Sequence, residues 1–149
     1  MRFTKSATAL SVALVLGACA TSGNAPPSPQ EINAALVEIT GQNGRSCVRQ
    51  IDISGYAALN DSVVSVSAKF RKHYLMVTMY RCPAMESTAH ALFEGAFTEF
   101  CGGGRDSIAT ADGRCPIQTV YEFENRQDAF DAHDEAEGRV EAARKPAVP

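Results

Sequence analysis

Apolar and polar positions along the chain follow two periods, and one short uninterrupted apolar run precedes both. That run, Ala7 to Leu16, is about ten residues long and too short to span a bilayer as a helix. After a polar, proline-rich stretch, Ile32, Ala35, Leu36 and Ile39 recur at i, i+3, i+4 and i+7, the stripe of an amphipathic helix. Ser28-Pro29-Gln30-Glu31 supplies a capping box with proline at the first helical position, and Gly41 supplies a stop. The spacing predicts a helix over Pro29–Thr40.

The period then changes to two. Cys47 to Ile53 alternates, with Arg49, Ile51 and Ile53 on one side. Ser62 to Ala68 sets Val64, Val66 and Ala68 on one face and serines on the other. "KFRK" (Lys69 to Lys72) reads as a charged turn, and His73 to Tyr80, apolar on both faces, as a central strand. Pro83 begins a short helix carrying Met85, Ala89 and Leu92, stopped by Gly95. Phe97 to Cys101 and Ser107 to Thr110 are short strands around a glycine loop, Asp112-Gly113 marks a turn, and Ile117 to Glu124 is the last strand.

Asn125, with Asp128 three residues on, opens a final helix through "AFDAHDEAEGRVEAARK". Its stripe is Ala129, Ala132 and Ala136 with Val140, Gly138 weakens it, and Phe130 is its one large apolar side chain. So shallow a face predicts a weakly docked or protruding helix. The sum is an α+β, β-rich fold: a small curled antiparallel sheet or partial barrel of five to six strands, with flanking helices. An oligonucleotide/oligosaccharide-binding barrel shares the placement of a helix between the third and fourth strands, a match of topology alone.

The apolar run takes its meaning from its flanks. Arg2 and Lys5 precede it, and Leu16-Gly17-Ala18-Cys19 closes it, an aliphatic residue and two small residues before a cysteine. This is a bacterial lipobox. The Cys19 thiol would take a thioether-linked diacylglycerol, and cleavage before it would free an amine for a further acyl chain, meeting the need for more than one lipid signal. The expected organisation is a lipoprotein signal peptide over 1–18, a lipidated cysteine and flexible tether over 19–28, a globular domain over 29–124 and an acidic helix and tail over 125–149. Ala20, where an aspartate would favour the inner membrane, points to the periplasmic leaflet of the outer membrane.

Charge and cysteines narrow the picture further. Residues 19–149 carry twelve basic and seventeen acidic side chains, a net charge of −5, seven of the acids lying within Glu124 to Glu141. An acidic chain is a poor partner for nucleic acid. Cys47, Cys82, Cys101 and Cys115 remain, an even number that in an exported chain reads as two disulfides. Without a CxxC pair the set does not resemble a zinc site. Of three possible connectivities, the favoured one joins Cys82 to Cys101 around one helical segment and Cys47 to Cys115 between the first and last strands.

Candidate chemistry is sparse. "CGGGRD" (Cys101 to Asp106) has the glycines and the cation, Arg105, of an anion cradle, yet lacks any phosphate-loop pattern and reads better as a tight turn beside a disulfide. His73, His90 and His133 are scattered, with no metal-ligand spacing, and His133 reads as part of a solvated acidic face. Serines are present without a nucleophile elbow. Lys69, Arg71, Lys72 and His73 form the one basic cluster, which reads either as a contact for lipid A or another anionic envelope polymer or as a solvated hairpin tip that guards an edge against aggregation. Ser54-Gly55-Tyr56 is either a recognition loop or a bulge with a packed tyrosine. No cofactor and no metal is expected.

"LNDSVVSV" (Leu59 to Val66), "YLMVTMYRCPAM" (Tyr74 to Met85), "DSI" (Asp106 to Ile108) and "CPI" (Cys115 to Ile117) resemble a family of small proteobacterial proteins, often lipoproteins, classed as a domain of unknown function. The resemblance covers about Arg45 to Glu124 and implies a compact β-rich domain with no assigned activity. The expected function is a lipid-anchored, non-enzymatic binding or structural module of the cell envelope, held to the membrane through Cys19 and facing an envelope protein or polymer. The alternatives are an inhibitor of an envelope-directed hydrolase such as lysozyme, and an envelope hydrolase.

Overall fold

A computed structural model describes residues 25–87 and 92–145. The leader, Cys19, Ala89, His90 and the end of "KPAVP" lie outside the described residues. Helix α1 spans Pro29–Thr40 as the spacing predicts. Ser28 and Glu31 cap it reciprocally, and Gly41 ends it at φ 67°, a left-handed conformation that glycine adopts freely.

Eight strands follow: β1 (Val48–Arg49), β2 (Ile53–Ala58), β3 (Val63–Ala68), β4 (His73–Thr78), β5 (Leu92–Glu94), β6 (Glu99–Phe100), β7 (Ser107–Thr110) and β8 (Gly113–Phe123). Helix α2 (Ala84–Ser87) lies between β4 and β5, and α3 (Arg126–Arg144) follows β8. Six strands form one antiparallel sheet in the order β2-β3-β4-β8-β7-β5, and β1 pairs with β6 in a second, two-stranded sheet. The large sheet curls into a half-barrel. Its edges meet through side chains, the Tyr56 ring of β2 standing edge-on to Phe93 of β5 at 5.7 Å.

Alternation sends each strand's side chains to two cores. Val63, Leu75, Val77, Tyr121 and Phe123 face α1 and α3. Val64, Val66, Met76, Ile117 and Val120 face the other side, where Val48, Met85 and Phe100 complete a second core. With both faces covered, every residue of β4 is buried, which is why its sequence is apolar on both sides. The Thr119 and Tyr121 hydroxyls both donate to Asn33 Oδ1, at 2.7 and 2.6 Å, and fix α1 on β8.

Several expectations are corrected. The disulfides join Cys47 to Cys101 and Cys82 to Cys115, not Cys82 to Cys101 and Cys47 to Cys115. The register explains the pairing. Val48 sits opposite Phe100, so Cys47 and Cys101 are the next residues outward on the same ladder. The Met79 amide donates to the Pro116 carbonyl, so the chain leaving β4 brings Cys82 alongside Cys115. Leu92 does not extend the helix begun at Pro83; it lies in β5 on the sheet edge, because pairing with Ala109 overrides the helical spacing. Cys47 to Ile53 is not one strand: a 3-10 turn at Gln50–Asp52 interrupts it and turns Ile51 outward, 74% exposed.

The last helix neither protrudes nor docks weakly. Ala129, Ala132, Ala136 and Val140 are all buried, and α3 runs antiparallel against α1. Methyl side chains let the two helices approach closely, so a face poor in apolar bulk still excludes water. His133, expected on a solvated face, is buried there too, its Nε2 3.2 Å from Asn60 Nδ2.

Candidate functional site

The molecule has two poles at opposite ends of β4, whose six residues span roughly 20 Å. One pole is the turn from β3 to β4. The Ala68 amide donates to the Lys72 carbonyl at 2.9 Å and closes the hairpin over Lys69–Arg71. Inside it Phe70 (φ 61°, ψ 26°) and Arg71 (φ 63°) adopt left-handed backbone. For side chains of this size that conformation costs on the order of 1 kcal/mol each. Phe70 is 82% exposed, so no packing of its ring explains the strain.

Carboxylates neutralise much of the basic cluster around it. Lys72 Nζ sits 2.8 Å from Glu122 and 2.6 Å from Glu124, and these hydrogen bonds, Glu122 first, hold its pKa well above the lysine range. Asp52 faces Arg49 at 2.6 Å and Lys69 at 3.8 Å. Arg71 makes no ion pair among the described residues. The Asp52 contacts set the turn at Gln50–Asp52 beside the hairpin, so Ile51 and Phe70 are exposed at the same pole. Sequence reading missed Ile51. The signal was the Arg49 and Asp52 pair, whose i,i+3 ion bridge suits a turn and not a strand.

Ser54, Gly55 and Tyr56 are not a loop. They lie in edge strand β2, where the register shifts between Ile53 and Gly55, and the Ser54 hydroxyl donates to the Ser67 carbonyl at 3.2 Å. Tyr56 turns inward to Phe93. The structure thus brings Lys69, Arg71 and Lys72 together and leaves Ser54 to Tyr56 along the adjoining strand.

At the opposite pole the two ends of the described chain meet. The Arg144 guanidinium donates to both Glu31 carboxylate oxygens and, at 2.5 Å, to the Ala25 carbonyl. That guanidinium, with the Ser28 hydroxyl and amide, holds the Glu31 carboxyl at about 2. Gln30 Nε2 donates to the Met79 carbonyl at 2.7 Å, which places the first turn of α1 beside the exit of β4. Met79 and Tyr80 are exposed there, 43% and 52%.

The remaining described candidates are engaged in structural contacts. The Gly103 and Gly104 amides donate to the Gln118 and Ile117 carbonyls at 2.7 Å, and the Cys101 amide to Asp106 at 2.9 Å. These donors point inward, so "CGGGRD" is a turn clamped to β8, and a Cβ on Gly102 would stand 2.8 Å from the Gln118 carbonyl. An open cleft of about 400 Å³ beside it sets Arg45 and Arg105 against Glu99 and Asp106, a charge-balanced lining. Cys47, Glu99 and Cys101 lie within 4.8 Å of one another, but the two sulfurs are spent in a disulfide. Ser65 Oγ is 2.7 Å from His73 Nε2, with Ser67 on the other ring nitrogen, yet Ser65 and His73 are sealed in the core, out of reach of a substrate.

Residues 2–140 match the family of unknown function DUF6491, and the chain belongs to it. No curated protein and no solved structure matches.

Proposed function

We propose that the protein is a lipid-anchored module of the cell envelope, tethered through Cys19, that binds a partner at the pole carrying Phe70 and Ile51. The supporting observation is Phe70 itself: a bulky ring held almost fully exposed on left-handed backbone, at the pole opposite the tether root. Strain without packing marks a side chain kept for contact with something outside the molecule. An exposed aromatic ring beside Arg71, an arginine without an ion pair among the described residues, has the composition of an interface hot spot.

Two measurements test this. Fractionation of Cys19→Ser tests the anchor: the variant is expected to leave the outer membrane, and one that stays there contradicts lipid attachment. A photoreactive side chain at Arg71, compared with one at Glu135 on the exposed face of α3, tests the pole. A discrete adduct from position 71 and none from 135 is expected in intact envelopes, and equal labelling contradicts a dedicated surface.

The same protruding ring favours an inhibitor of an envelope-directed hydrolase as the second reading, because a stiff turn with an apolar apex suits insertion into a cleft. Slower lysis of peptidoglycan by lysozyme with the wild-type protein, and not with Phe70→Gly, is its signature.

A further inference from the structure

We infer that the pole bearing Met79 and Tyr80 lies on the phospholipid surface, so that the domain stands on the membrane and does not swing freely on its tether. The inference rests on the lipid-anchor reading and adds an orientation to it.

Chain length carries it first. Six residue steps separate Cys19 from Ala25, so the described chain begins at most about 20 Å from the lipidated residue, and about 13 Å away for a flexible segment. Ala25 is itself pinned by Arg144, and α1 is pinned to Met79 by Gln30. Whatever path residues 20–24 take, this pole stays within reach of the bilayer. Phe70 lies a further strand length away, roughly 20 Å. For the Phe70 pole to touch the surface in its place, lifting this pole a strand length off the bilayer, the six residue steps from Cys19 to Ala25 would have to be fully extended.

Surface chemistry carries it second. Met79 and Tyr80 are two of the few large apolar side chains left exposed, and they adjoin the tether root. Tyr80 is amphipathic, with its hydroxyl donating to the Arg114 carbonyl at 3.0 Å, so its apolar ring can enter the headgroup layer without stranding a polar group. The side chain of Arg81, next to Tyr80 and 42% exposed while paired with Asp61, and that of Arg114, whose carbonyl Tyr80 bonds and which is 72% exposed while paired with Glu94, are available to meet lipid phosphates. Lipid on Cys19 supplies the affinity, and these side chains set the orientation.

The chain contains no tryptophan, so one introduced indole reports its own depth. Met79→Trp, Tyr80→Trp and Phe70→Trp are each prepared as the membrane-processed protein. They are reconstituted in vesicles of phosphatidylethanolamine and phosphatidylglycerol, with or without brominated phosphatidylcholine. Bromine is expected to remove most of the emission at positions 79 and 80 and little at position 70. Emission at 79 and 80 that is untouched while the protein stays on the vesicles overturns the inference and leaves the anchor intact. Quenching at 70 instead overturns it by placing the other pole on lipid. Protein that leaves the vesicles and shows no diacylglycerol mass on Cys19 removes the anchor reading and this inference with it.

Discussion

Arg144, in the last turn of α3, and Glu31, in the first turn of α1, meet across 113 residues of chain, with Nε 3.0 Å from Oε1. The pair fastens the last turn of α3 to the first turn of α1 at the pole that carries Met79 and Tyr80. Glu31 also completes the capping box with Ser28, so one carboxylate caps a helix and clamps two together.

That carboxylate makes the clamp acid-sensitive. Its pKa is lowered from 4.5 to about 2, so its contribution is fully present above pH 4.5 and is lost as the pH falls towards 2. The site is partly exposed and solvent-screened, which limits the pair to about 0.5–1 kcal/mol. Arg144→Ala is expected to lower the thermal midpoint at pH 7 by roughly 2–4 °C, and to lose less than that at pH 2.5. An equal loss at both pH values contradicts the ionic clamp.

Removing the end of α3 tests its packing. Truncation after Ala136 deletes Val140, which is buried against α1, together with Arg144. The loss is expected to reach about 2–3 kcal/mol, or roughly 8–12 °C in thermal midpoint. A midpoint that hardly moves means that the helix is an appendage.

His73 responds to acid differently. Burial first, and the charge of Arg126 second, lower its pKa below 6.5, so the folded state holds the neutral ring. Stability from this residue is present above pH 6.5 and is lost as the pH falls through the lowered value, where the unfolded chain takes up the proton first. His73→Gln is expected to flatten the decline in thermal midpoint below pH 6.5. An unchanged slope contradicts a buried neutral histidine.

The two disulfides differ in access. Cys47 is exposed, whereas Cys82 and Cys115 are buried. Mild reduction with a small thiol, followed by alkylation and mass spectrometry, is expected to label Cys47 and Cys101 before the other pair. Labelling of Cys82 and Cys115 first contradicts this arrangement.

Sequence reading recovered what local chemistry decides. Helix α1 follows from its cap, its stripe and its terminal glycine, β3 from its alternation, and β4 from being apolar on both faces. Long-range pairing decided the rest. The Cys47–Cys101 bridge depends on β1 meeting β6, two short strands whose residues carry no mark of each other. The docking of α3 depends on the closeness that alanines permit, which a scale of side-chain hydrophobicity ranks as weak. At the candidate site, "KFRK" was legible as a charged turn. The left-handed backbone of Phe70 and Arg71 was not, because no composition distinguishes a relaxed turn from a strained one.

That strain has a thermodynamic consequence. Glycine accepts φ 61° without penalty, and the ring it removes is solvent-exposed. Phe70→Gly is expected to leave the domain as stable as wild type, or to stabilise it by about 0.5–1 kcal/mol, since the relief of strain exceeds the entropy that glycine adds to the unfolded chain. A lower thermal midpoint means that the ring packs on the domain.

The most direct measurement is the yield of the photoadduct from position 71 with phenylalanine or glycine at position 70, in protein of equal abundance and equal thermal midpoint. Loss of most of the adduct with glycine is expected if the exposed ring is the contact proposed for the partner. An undiminished adduct contradicts Phe70 as the contact for which the strained turn is kept.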